Sequence, residues 1–144
     1  MKMLFHRLSL EAFCHATEDA GKVKEAMLRA VPPELRQTPF KEEKLEGSFG
    51  NDILIFALEF SKQGDMKKVV DFIKAGLPKE DLRSVDIDEH VTDDDEFWLR
   101  LDKQKACEGE LALGGDDTIQ LKGKVAAFPA NRRKAISLME LAWS

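Results

Sequence analysis

Arg132, Arg133 and Lys134 follow Asn131 where a strand-like run gives way to helical spacing, an unusual place for three cations. A helix N-terminus already carries partial positive charge, so each cation there costs roughly 0.3 kcal/mol or more, whereas a carboxylate is favoured. Three cations beside free backbone N–H groups would form a socket for an anion such as phosphate. The same residues also read as a solvated basic turn that offsets acidic neighbours. The three residues alone leave both readings open.

Other candidate chemistry is weaker. Asp86, Asp88, Glu89 and the four residues 93–96 place seven carboxylates within eleven positions. A calcium loop needs a central glycine and regularly spaced oxygen ligands, and this run has neither, so it reads as an acidic surface loop. His6 and Cys14 share a strand phase but lie about 26 Å apart along an extended chain, too far to hold one ion. Cys14 and His15 point to opposite faces. Cys14 and Cys107 lack zinc spacing and read as small, buried, reduced thiols. No nucleophile elbow, phosphate loop or dinucleotide fingerprint occurs. With 27 acids, a glycosidase-like carboxylate pair can be chosen almost anywhere and carries no weight. The expectation is a protein that is not an enzyme, with no catalytic residues, no metal and no cofactor.

The elements that must position the basic residues follow from periodicity. Leu4, Leu8, Leu10, Ala12 and Cys14 alternate with Phe5, Arg7, Ser9, Glu11 and His15, which predicts a half-buried strand. Thr17 is expected to cap a helix carrying Val23, Ala26, Met27 and Ala30, which Pro32-Pro33 stops. A polar stretch over 36–48 predicts a loop and an exposed strand, with Gly50-Asn51 as a hairpin turn. Residues 53–60 are apolar on both faces, as in a central strand. Met66, Val69, Val70 and Ile73 mark a second helix closed by Gly76 and Pro78, with a further helical turn over 79–84. Phe97, Leu99 and Leu101 mark a strand. Asp102 then caps a helical turn that Gly109 ends. Leu111 and Leu113 predict another strand, turned back at 114–117. Ile119, Leu121, Gly123, Val125 and Ala127 share the inner face of the last strand. Asn131 caps a helix whose Ala135, Leu138, Met139 and Ala142 face the core.

The pattern predicts one α+β domain over 1–144, a mainly antiparallel sheet with helices packed on one face. Hydrophobic residues make up 43% and charged residues 34% of the 144, as in an ordinary globular chain. No apolar run is long enough to cross a membrane, and Arg7 interrupts any secretory signal, so a cytoplasmic location is expected. A net charge of -5 argues against a generic nucleic-acid binder, yet charge is unevenly placed. Residues 1–96 hold 14 Lys+Arg and 21 Asp+Glu, whereas 97–144 hold 8 and 6, so the basic excess lies in the C-terminal third. Phe5, Phe13, Trp98 and Phe128 could stack a base where exposed, although aromatic residues more often lie in the core.

Five segments carry a resemblance. They are Cys14-His15-Ala16-Thr17-Glu18-Asp19 with Lys22-Val23, Gly47-Ser48-Phe49-Gly50-Asn51, Leu99-Arg100-Leu101-Asp102-Lys103-Gln104, Gly109-Glu110-Leu111, and Lys124-Val125-Ala126-Ala127-Phe128-Pro129-Ala130. Taken in order, they resemble the archaeal family of predicted exosome subunits and RNA-binding proteins. Phe128 stands where tyrosine is usual in that family, and Cys107 where an aromatic is usual. The resemblance implies a domain similar to the ribosomal protein that binds 5S RNA, comparable with double-stranded RNA-binding domains.

Resemblance and charge together lead to one expectation: a non-catalytic RNA-binding module. Lys103, Lys105, Lys124, Arg132, Arg133 and Lys134 would read phosphate and A-form shape, with Asn131 fixing the helix end and Gln104 reaching a 2′-hydroxyl. Its partners would be structured or double-stranded RNA and RNA-processing proteins such as the exosome, with no membrane. The alternative is a protein-interaction module that uses the acidic 86–96 surface, or an exposed strand edge near 40–45, without direct RNA binding. A third reading is a small anion, such as a nucleotide, at 131–134.

Overall fold

The computed structural model describes residues 4–47 and 51–144. Five strands form one antiparallel sheet: β1 (Phe5–Cys14), β2 (Lys41–Leu45), β3 (Ile53–Phe60), β4 (Glu96–Asp102) and β5 (Thr118–Val125). Their order across the sheet is β2-β3-β1-β5-β4, so the chain leaves β3, crosses to the far edge as β4 and returns inward through β5. Among the described residues, five α-helices accompany them: α1 (Ala20–Leu28), α2 (Gln63–Gly76), α3 (Lys79–Ser84), α4 (Lys103–Cys107) and α5 (Arg132–Trp143).

The period-two pattern decides which face is covered. Leu8, Leu10, Phe56, Leu58, Leu99, Leu101, Ile119 and Leu121 lie inward, against Val23 and Met27 of α1, Val69 and Ile73 of α2, and Ala135 and Met139 of α5. These residues form one apolar cluster, so the α+β domain with helices on one face stands as expected. In α5, Leu138 and Ala142 are half-buried and Trp143 adds to the buried stripe.

Three expectations change on inspection. Strict alternation puts Phe5 outward, but the register shifts between Phe5 and Arg7, and this bulge turns Phe5 fully into the core. Thr17 is exposed and does not cap α1; Asp19 does, its Oδ1 accepting the N–H groups of Gly21 at 2.8 Å and Lys22 at 3.3 Å. Leu111 and Leu113 do not build a sixth strand. Leu113 makes one bridge to Leu101, flanked by the Asp102 N–H donating to the Ala112 carbonyl at 2.8 Å and the Gly114 N–H donating to the Arg100 carbonyl at 3.0 Å. The Leu113 N–H faces away from β4 and donates to the Asp81 carboxylate of α3 at 2.9 Å, and Gly114 and Gly115, both at positive φ, then turn the chain. The expected Gly50-Asn51 turn lies partly outside the described residues.

The inward-turned Phe5 explains a glycine in β5. A Cβ at Gly123 would sit 2.7 Å from two ring carbons of Phe5 and 2.8 Å from Leu8 Cδ1. Neither neighbour can yield inside a close-packed core. Gly123→Ala is therefore expected to lower stability by about 1–3 kcal/mol in chemical denaturation, with Phe5→Leu in the same chain recovering part of the loss.

Candidate nucleic-acid interface

The corner after β5 is exposed, but only partly as a socket. Asn131 Oδ1 accepts the Lys134 N–H at 2.8 Å and so caps α5 as expected. Arg133 and Lys134 point to solvent, and Phe128, just before the corner, is 93% exposed. Arg132 instead folds back on the acidic stretch. Its Nε donates to the Val91 carbonyl at 3.2 Å, its guanidinium donates to the Asp88 carbonyl, and Nη1 lies 3.4 Å from Asp88 Oδ1. Asp93 lies 3.9 Å away. Lys124 Nζ likewise donates to the Asp94 carbonyl. The acidic stretch thus supplies the negative charge that the first turn of α5 lacks, and it ties down Arg132.

Lys103 is a correction. Its side chain is buried, with 3% of the residue exposed, and its ammonium donates to the Phe13 carbonyl at 2.8 Å, Glu18 Oε1 at 2.9 Å and Asp117 Oδ2 at 2.6 Å. All three ammonium donors are used internally, so Lys103 cannot reach a phosphate. Gln104 and Lys105 are exposed, yet they follow the C-terminal end of β4, whereas Lys124 pairs with Glu96 at its start, roughly 20 Å away along the strand. The eight expected residues therefore split between two ends of the sheet, and one of them is interior.

His15, Glu18 and Asp117 bring ligand-type atoms within 4.8 Å of one another, but Lys103 is the cation this cluster holds. Beside it, Cys14 is buried as expected; burial, with help from Glu18, pushes its thiol up and leaves it unreactive. Cys107, expected to be buried, is exposed on α4.

Strand pairing assembles a surface that linear reading missed. Three rows cross β1, β5 and β4 on the face away from the helices: Arg7–Lys124–Glu96, Ser9–Lys122–Trp98 and Glu11–Gln120–Arg100. Trp98 is half-buried and stacks on His90, with ring centroids 4.3 Å apart and planes at 28°. His90 Nδ1 donates to the Trp98 carbonyl at 2.8 Å, so that nitrogen carries the proton. The Arg100 guanidinium lies 5.0 Å from the Trp98 ring centroid. The available signal was the outward phase of each strand, which becomes a surface only once the register is known.

A family model described as RNA binding matches residues 7–125. RNA-binding protein PAB1135 of Pyrococcus abyssi is 34% identical over 140 residues, covering 94% of this chain and 91% of that one. The uncharacterized protein MJ0213 of Methanocaldococcus jannaschii is 30% identical over 141 residues, with 92% and 93% covered. Among solved structures, protein AF2318 from Archaeglobus fulgidus superposes with a TM-score of 0.83 at 27% identity, covering 96% of this chain and 99% of that one. Mth689 from Methanothermobacter thermautotrophicus, a DUF54 protein, gives 0.75 at 27% identity, with 98% and 99% covered.

The Lys103 cluster generates two predictions. Lys103→Met strips the counter-charge from two carboxylates and is expected to lower unfolding free energy by about 3 kcal/mol in urea titration. Burial pushes the Glu18 carboxyl up, but the His15 N–H and the Lys103 ammonium outweigh it and hold the group below its ordinary range. A depressed carboxyl adds stability above its unfolded pKa of about 4.3 and loses it as pH falls through the folded value. Thermal melts from pH 7 to pH 3 should therefore show wild type losing its advantage over Glu18→Gln below about pH 4.3. An advantage that stays constant to pH 3 would contradict the assignment.

Proposed function

The chain belongs to the family described as RNA binding, and from that premise we propose that it is a non-catalytic RNA-binding protein which meets the phosphate backbone at the corner between β5 and α5. The observation carrying the proposal is the family match over residues 7–125. The location is supported by the exposure of Arg133, Lys134 and Phe128 together at one corner. Arg133 and Lys134 serve as point charges toward phosphate, and Lys124 adds a third where the corner meets the sheet. Asn131 orders the first turn of α5, and Arg132 holds the acidic stretch away from the ligand. Gln104 and Lys105 sit at the far end of β4, where only an RNA long enough to span the sheet would reach them.

Structured RNA suits this arrangement, since phosphates along a folded strand can meet separated cations. A role beside RNA-processing proteins, the exosome included, is the finer part of the proposal and rests on the sequence resemblance. PAB1135, a relative at 34% identity, is itself named an RNA-binding protein.

Arg133→Glu with Lys134→Glu tests the corner. The double variant should melt as wild type does, because both side chains are exposed and neither enters an ion pair or side-chain hydrogen bond among the described residues. Its affinity for a structured RNA should fall at least tenfold at low salt, and the slope of log K against log salt should shrink by roughly 1.5. Unchanged retention of RNA would overturn the corner as the contact site. A partner that stays bound after nuclease treatment, with no RNA retained, would favour protein interaction through the acidic surface or the exposed β2 edge instead.

A further inference from the structure

We propose that the uncovered face across β1, β5 and β4 holds unpaired nucleotides of the bound RNA, with a base stacked at the Trp98–Arg100 unit and phosphates met by Arg7, Lys122 and Lys124. This deepens the RNA reading above and rests on it.

The nine positions of the three rows hold four cations against two carboxylates, Glu11 and Glu96, in a chain of net charge -5. The other half of the same face, on β2 and β3, sets Lys41 against Glu43 and Glu59, of which Lys41 and Glu59 pair, and shows no such excess. Lys122 Nζ lies 3.6 Å from Glu96 and is half exposed, a surface pair of little strength that a phosphate can replace.

An aromatic, Trp98, stands at the middle row of β4. Trp98 is held in place before any ligand arrives, by stacking on His90 and by the hydrogen bond from His90 to its own carbonyl. Holding a stacking residue in its bound geometry lowers the cost of ordering on binding. Indole rings and guanidinium planes are the platforms on which splayed bases stack, and a base inside a perfect duplex offers no free face to either. The unit therefore selects unpaired over paired nucleotides. Three rows and three strands span roughly 13 Å by 10 Å, room for the two or three bases that sheet surfaces of this kind take.

Trp143 is the chain's second tryptophan, buried against Phe97 on the covered face, so Trp143→Phe leaves Trp98 as the sole emitter. Titrating that protein with an eight-nucleotide oligouridine should quench its emission, whereas a blunt duplex should leave emission unchanged and bind about tenfold more weakly. Trp98→Ala should weaken oligouridine binding about tenfold, Trp98→Phe should restore most of it, and neither should alter duplex binding. Lys122→Glu, at an exposed position, reads the same surface should Trp98→Ala fail to fold. Equal binding of both RNAs with unchanged Trp98 emission would overturn this inference and leave the RNA reading intact. Retention of neither RNA would overturn both.

Discussion

An ammonium inside a protein of this size is expensive unless every donor is met, and the arrangement around Lys103 is the condition on which the β1–α1 and β4–α4 junctions depend. Its three oxygens come from the end of β1, the turn before α1 and the residue preceding β5, while Lys103 itself opens α4. A helix of five residues does not persist by itself in water. α4 persists because Asp102 caps it, Ala106 is buried, and its first residue is tied to two other parts of the chain. Segments 14–19 and 99–104, two of those that carry the family resemblance, are the ones that meet at this ammonium.

A second charge pairing, on the surface, governs the opposite end of the sheet. The acidic stretch before β4 reads alone as a surface loop, and the basic start of α5 as an unfavourable helix end; the fold lays each against the other. Arg132 spans Asp88, the Val91 carbonyl and Asp93, and Lys124 reaches the Asp94 carbonyl. Surface pairs contribute little each, but several converging on one short segment restrain it as a network. Arg133 and Lys134 then remain as cations facing outward, beside an aromatic with nothing packed on it. The corner is basic after the acidic stretch has taken its share, which is a stronger ground for anion contact than three adjacent cations in a sequence.

Much of the fold was legible because it follows from period and punctuation. Alternation located the strands, Asp102 and Gly109 bracketed α4, and Asn131 marked the start of α5. What sequence could not carry was register and competition. Lys103 sits between Asp102 and Gln104 in a polar run and reads as exposed; only the pairing that brings Asp117 and Glu18 together makes it interior. Leu111 and Leu113 have strand periodicity, but pairing with β4 stops at the single Leu101–Leu113 bridge, where Gly114 and Gly115 turn the chain at positive φ. The candidate site divides the same way. The 131–134 corner is contiguous and could be seen, whereas Arg7, Trp98, Arg100 and Lys122 lie on three strands and become one surface only through the β1–β5–β4 register.

The bulge in β1 connects the stability of the sheet to that surface. Counting back from Leu8 by strict alternation, Arg7 faces out, His6 faces in and Phe5 faces out. A core that took His6 would bury a polar ring and leave a large aromatic on the open face. Inserting one residue between the Val125 and Lys124 partners reverses the phase for Phe5 alone: Phe5 closes the core over Gly123, His6 stays exposed, and Arg7 keeps its place beside Lys124. Bulges re-aim side chains where a regular ladder cannot serve two demands at once. Here the two demands are a sealed core on one side and a cationic row on the other. The absence of a Cβ at Gly123 is what lets a single strand end satisfy both.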